Sequence, residues 1–165
     1  MPLSQELRET YASVGPSVIL ETLEFIHYTF PQSFRVVRDE RDWDLTLENN
    51  GLTVPFKAFA FNVVQPPQND KGTTSLRIVI DNVDQTMINL LESAQDGTNT
   101  PIEVIYRIYL DTNTSTPQNT PLKLSFLNVE CNKQQVTGTA RRDDVINRKF
   151  PKIVYNNSFI SLYLS

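Results

Sequence analysis

Residues 17–30, SVILETLEFIHYTF, constrain the fold more than any other stretch of this chain. Read as a strand, they place Ile19, Leu23 and Phe25 on one side and Leu20, Ile26 and Tyr28 on the other. Apolar side chains on both faces need cover on both faces. A sheet with one solvated side does not satisfy that pattern, so this strand calls for a second layer.

The rest of the chain supplies partners of the same kind. RDWDLTLENNGLTVPFKAFAFNVV reads as a hairpin. Leu45 and Leu47 alternate with Asp44, Thr46 and Glu48, and Asn50-Gly51 offers residues that tolerate positive φ in a tight turn. The second arm alternates Phe56, Ala58 and Ala60 with Lys57, Phe59 and Phe61. Leu76, Ile78 and Ile80 share a face of a further strand. TPIEVIYRIYLD is a long strand, and LKLSFLNVECNKQQVTGTARR is a hairpin turning near Asn132-Lys133.

Helical spacing is confined to two places. Leu7, Tyr11 and Val14 fit a short helix over about 4–14, capped by Ser4 and stopped by Gly15-Pro16. Val83, Met87, Leu90, Leu91 and Ala94 make an apolar stripe over about 83–95. Asn82 and Gln85 stand as a capping pair before it, and Gly97 follows it. The pattern predicts one mainly β domain over 1–165, an antiparallel barrel or two-sheet sandwich over about 18–141 with a flanking helix. A basic and aromatic segment, 142–165, follows.

Charge is unevenly spread. The net charge is −4. Residues 131–165 hold six Lys or Arg against Asp143 and Asp144, which leaves +4, so residues 1–130 carry −8. An acidic chain of this kind does not bind nucleic acid by neutralising phosphates. The basic end either folds onto its own acidic body or meets the acidic face of another copy. Arg141, Arg142, Arg148, Lys149, Phe150, Lys152, Tyr155 and Phe159 are the expected subunit-interface residues.

Reactive chemistry has little to draw on. Cys131 and His27 are the single cysteine and the single histidine. They are the one conceivable thiol–imidazole pair. The simpler reading makes His27 structural and Cys131 a buried small hydrophobe. Asp39, Glu40, Asp42 and Asp44 could be drawn as a carboxylate pair, but mixed charges before a hairpin are the usual look of a solvated turn. No glycine-rich phosphate loop is present, and no cofactor or metal is expected. No stretch is long and apolar enough to span a membrane, and the first residues lack a signal pattern. Synthesis in a reducing cytoplasm is the expectation.

The segments LEFIHYTFPQSFRVVRDERDW, VPFKAFAFNVVQPPQNDKGTTSLRIVIDNVDQTMINLLES, TPIEVIYRIYLD and RRDDVINRKFPKIVYNNSFISLYL are similar to a small family of uncharacterised proteins of tailed bacteriophages and prophages. Three features carry the resemblance. Ile80-Asp81-Asn82 ends a strand before a helix, and Pro101, Val104, Arg107 and Tyr109 fit a P-x-x-V-x-x-R-x-Y strand. Phe150-Pro151 with Tyr155 and Phe159 fits an aromatic ending. The chain departs from the family's Phe-Pro-Gly-Leu turn, carrying Ser158-Phe159-Ile160-Ser161 instead.

The resemblance implies a non-catalytic structural virion component at the tail tip or baseplate hub. It implies a tail-tube-like barrel with a flanking helix, assembled in rings of three or six and touching other tail proteins. A carbohydrate- or protein-binding sandwich is the alternative, with Trp43, Tyr106 and Tyr109 as stacking faces. A hydrolase using His27 with Cys131, or the Asp39–Asp44 cluster, is a third.

Overall fold

The computed structural model describes residues 5–12, 17–64, 75–81, 84–95, 100–132 and 134–142. The fold is mainly β. In chain order the elements are α1 (Gln5–Ala12), β1 (Ile19–Ile26), β2 (Phe34–Val37), β3 (Trp43–Thr46), β4 (Thr53–Ala58), β5 (Phe61–Val64), β6 (Ser75–Asp81), α2 (Gln85–Gln95), β7 (Ile102–Leu110), β8 (Leu122–Cys131) and β9 (Gln135–Arg141). The strands form one sheet in the order β3-β4-β2-β1-β7-β8-β9-β6-β5. Neighbours are antiparallel except β2 and β4, which are parallel.

β4, next to one end of that order, runs directly into β5 at the other. The Phe59 N–H donates to the Val37 carbonyl of β2 (2.9 Å), and the Ala60 carbonyl accepts from the Asp81 N–H of β6 (2.8 Å). Successive residues of an extended chain direct their backbone polar groups to opposite sides. β2 and β6 therefore flank a single bent strand made of β4 and β5, and the sheet closes into a barrel. The sequence pattern made residues 53–64 one continuous hairpin arm. The structure divides that arm at Phe59–Ala60 because its apolar residues serve two cores. Phe56 packs outside the barrel, while Phe59 and Phe61 join the core inside it.

Alternate residues of β1, β6, β7, β8 and β9 fill the interior, among them Leu23, Phe25, Ile78, Val104, Phe126 and Val136. The apolar stripe of α2 belongs to the same cluster through Met87, Leu91 and Ala94. The helix therefore closes on the barrel's contents rather than on an outer wall. Its start differs from the sequence reading. Asp84 accepts the Met87 N–H on Oδ1 (2.9 Å) and the Ile88 N–H on its carbonyl (3.3 Å), which makes Asp84 the cap. Asn82 and Gly97 lie outside the described residues, as do Ser4, Val14 and Gly15-Pro16. Asp84→Ala should cost about 1 kcal/mol, read as a lowered urea midpoint with an unchanged slope.

β1 now has its second cover. Leu20 of β1, Val37 of β2 and Tyr109 of β7 face outward and are buried under Leu45, Leu47 and Phe56 of the β3–β4 hairpin. The hairpin turn forms as its residues predict. Gly51 sits at φ 66° and donates to the Leu47 carbonyl (3.0 Å). Tyr28, expected on an apolar face, is exposed because β1 stops at Ile26 and the chain turns through His27–Phe30.

The second hairpin turns at Asn132 as expected, with Asn132 Oδ1 accepting the Gln134 and Gln135 N–H groups; Lys133 lies outside the described residues. A bulge precedes the turn. Leu127 pairs with Thr139 and Glu130 with Thr137, and Asn128 takes φ 52°. The extra residue bends the strand, and residues 127–131 are exposed or half-buried. Cys131 is therefore exposed, not the buried hydrophobe that alternation predicted. Desolvation, with Glu92 adding to it, pushes its thiol pKa up. A colorimetric thiol reagent should titrate one thiol per native chain without denaturant, more slowly than in urea.

Candidate functional site

Of the residues expected at a subunit interface, Arg141 and Arg142 are described, and both are exposed at the end of β9. Arg148, Lys149, Phe150, Lys152, Tyr155 and Phe159 lie outside the described residues. The other sequence candidates are placed apart. His27 is buried at the end of β1. Its Nε2–H donates to the Thr100 carbonyl (3.2 Å), which leaves Nδ1 to accept the Thr29 hydroxyl (2.7 Å). Both ring nitrogens thus join loops around the α2 end of the barrel. No hydrogen bond links His27 to Cys131 among the described residues, so the structure does not bring that pair together.

The acidic turn before β3 is bound up in its own geometry. Asp39 accepts the Trp43 indole N–H and the Glu40 N–H, which hold its carboxyl below the usual range. Asp42 accepts the Ala58 N–H (2.7 Å). The Arg41 guanidinium lies 4.1 Å from the Trp43 ring centroid, a cation–π contact that covers one ring face. Tyr106 and Tyr109 are buried and cannot stack on a sugar. The three aromatic faces of the carbohydrate-binding alternative are thus covered or internal. Among the described residues no three His, Cys, Asp or Glu side chains converge on a possible metal position.

The densest polar arrangement was not foreseen from sequence. Arg107, in the middle of β7, is fully buried. Its Nε and Nη2 grip both oxygens of Glu48 (2.7 and 3.0 Å), and its Nη1 donates to Glu24 Oε2 (2.8 Å). Arg35 Nε donates to the other Glu24 oxygen (2.8 Å). Two cations and two carboxylates from β1, β2, β7 and the hairpin loop are thereby balanced under the hairpin. Desolvation pulls the Arg107 pKa down, but the hydrogen bonds and charges of Glu48 and Glu24 overcome it and the net shift is upward. Desolvation likewise raises Glu48, and Arg107 outweighs it, so the net shift is downward.

Nearby, the Tyr109 hydroxyl donates to the Thr46 carbonyl (2.8 Å), and burial pushes its pKa up to about 12. Among the described residues every buried side-chain nitrogen or oxygen has a partner. This satisfied network holds a hairpin down; it offers no open valence to a substrate. A signal for it existed. The two-faced strands carry ionisable residues of opposite sign, Glu24 and Arg107, flanked by apolar neighbours, and buried charges must pair.

The loop 112–120, polar in composition, is partly internal. Gln118 and Asn119 are buried, and they bond both backbone groups of Ile108 (2.7 Å each) where β8 has not yet begun. They cover an otherwise open stretch of the β7 edge.

Fold and polar network together define a closed β-barrel with a helix over its contents and a hairpin clasped to its outer wall. The chain belongs to the family described as Domain of unknown function (DUF1833), whose model matches residues 6–155. No curated protein matches it. No helix among the described residues is long and apolar enough to cross a membrane.

Proposed function

We propose that this chain is a structural protein of a tailed-bacteriophage virion, part of a ring at the tail tip or baseplate hub. The observation that supports this reading is the barrel with its associated helix, the architecture that the sequence resemblance implied. The barrel closes within one chain, and its buried polar groups are engaged with one another, which suits a rigid building block better than an enzyme. Its partners are other copies of itself, in threes or sixes, and neighbouring tail proteins. It has no sequence-specific contact with DNA, which passes through the lumen. The virion is its destination after synthesis in the bacterial cytoplasm.

Mass spectrometry and immunogold labelling of purified particles test the proposal. The protein should be present in virions, with label confined to the distal end of the tail. Its absence from particles, or label on the capsid, would reject the reading.

A further inference from the structure

We infer that one copy of this chain receives the acidic 39–44 turn of a second copy on a basic stripe across β6, β9 and β8, a head-to-tail contact. The inference rests on the self-assembly proposed above and names the surfaces that carry it.

The stripe follows from register. Arg77 of β6 pairs with Thr139 of β9, and Arg141 lies two residues further along the same strand face. Arg141 pairs with Ser125 of β8, and Lys123 lies two residues beyond Ser125 on that face. The intervening residues Ile78, Leu124 and Ala140 point into the barrel core, so the three cations share the outer wall. All three are exposed, and none makes an ion pair among the described residues, though Lys123 is near enough to Glu48 to help lower that carboxyl's pKa. Arg142, also exposed, extends the positive end of β9, and Glu103 in the row of Arg141 is the acid closest in register. Two of the five exposed large apolar side chains among the described residues, Val64 and Leu127, share the row of Arg77 across β5, β6, β9 and β8. A charged stripe beside apolar contacts is the composition of a protein interface rather than of a purely solvated wall.

The complementary surface is elsewhere on the same molecule. In the turn before β3, Arg38 is paired with Glu21, and Arg41 is held over Trp43. Glu40 and Asp44 remain exposed, without an ion pair among the described residues. Within one copy no ion pair joins the two surfaces among the described residues. Asp44 is level with Pro55 and Arg77 with Val64, nine residues apart along the bent β4–β5 strand. That is up to roughly 30 Å along an extended chain. Different patches that fit each other between copies form a heterologous contact, the kind that closes rings.

Charge exchange tests the contact. One variant, Arg77→Glu with Arg141→Glu, makes both surfaces acidic. A second, Glu40→Arg with Asp44→Arg, makes both basic. All four positions are exposed, so folding, checked by circular dichroism, should persist. In sedimentation at low salt each variant alone should lose self-association by on the order of tenfold or more. An equal mixture should regain it, in even-numbered assemblies. Wild-type association should weaken as salt rises.

Association unchanged by either variant, or not regained on mixing, overturns the inference. So does an effect of Arg77→Glu with Arg141→Glu on binding to a short DNA duplex alone, which would make the stripe a general anion surface. A wild-type chain that stays monomeric at every concentration also overturns it. If that monomer is nevertheless found at the tail tip of virions, the contact fails while the proposed function stands. If it is absent from virions, both fail.

Discussion

Replacing Arg107 with alanine should destabilise the protein by about 3–5 kcal/mol. That is a large part of the 5–15 kcal/mol that holds a typical domain folded. The magnitude follows from what is left behind. Glu24 keeps Arg35 but loses the guanidinium that serves its second oxygen, and it stays buried. Glu48 loses both bonds that hold the hairpin loop to β7. Arg107→Lys should recover little, because one ammonium cannot reproduce the fork that meets Glu48 with two nitrogens and Glu24 with a third. Urea denaturation of the three proteins measures this directly. If Arg107→Ala shifts stability by less than 1 kcal/mol, the clasp is not what holds the hairpin.

The same clasp gives stability a pH dependence. The Glu48 pKa is depressed in the folded state, so its contribution is complete above its ordinary value of 4.5 and fades as pH falls through the lower folded value. Glu48→Gln should therefore flatten the acid limb of the stability curve. The variant should be less stable than wild type at neutral pH, with the gap narrowing below about pH 4.

The second large effect concerns a residue with no side chain. A Cβ built at Gly138 would fall inside van der Waals contact of the Phe126 ring carbons Cε2 and Cζ. That ring is buried and also packs edge-on to Phe25, with centroids 5.7 Å apart, which restricts its retreat. Gly138→Ala should cost about 1–3 kcal/mol by overpacking. The double variant with Phe126→Leu should be more stable than the sum of the two single changes. Additive single changes in a denaturation cycle would show that the two residues do not share the space.

Much of the barrel was legible because its strands have short-range signatures. The Asn50-Gly51 turn, the shared face of Leu76, Ile78 and Ile80 in β6 and the stripe of α2 were each written in a few adjacent residues. Three features were not, for the same reason. The break at Phe59–Ala60 follows from β2 and β6 lying on either side of it, a fact about distant strands. The exposure of Cys131 follows from one extra residue at Asn128, which alternation cannot register. The Arg107 network joins residues 24, 35, 48 and 107, whose proximity depends on the whole strand order. The strand motif that carried the resemblance contains Arg107 and Tyr109. Their physical content is now specific, since one clasps the hairpin loop and the other bonds the hairpin's first strand.

The strand order also sets a sequence of events for a chain leaving the ribosome. β9 is the link between β8 and β6. Until it emerges, the polypeptide holds two unlinked sheets, β3-β4-β2-β1-β7-β8 and β6-β5, hinged at Phe59–Ala60. No barrel can close before residue 141 is out, however early the corner itself was made. The nascent chain therefore carries the unpaired edge of β6 until β9 emerges, joined only briefly by that of β8, a window in which neighbouring chains can compete for it. Closure is governed by contacts far apart in sequence, which places folding among the slower, millisecond-to-second class.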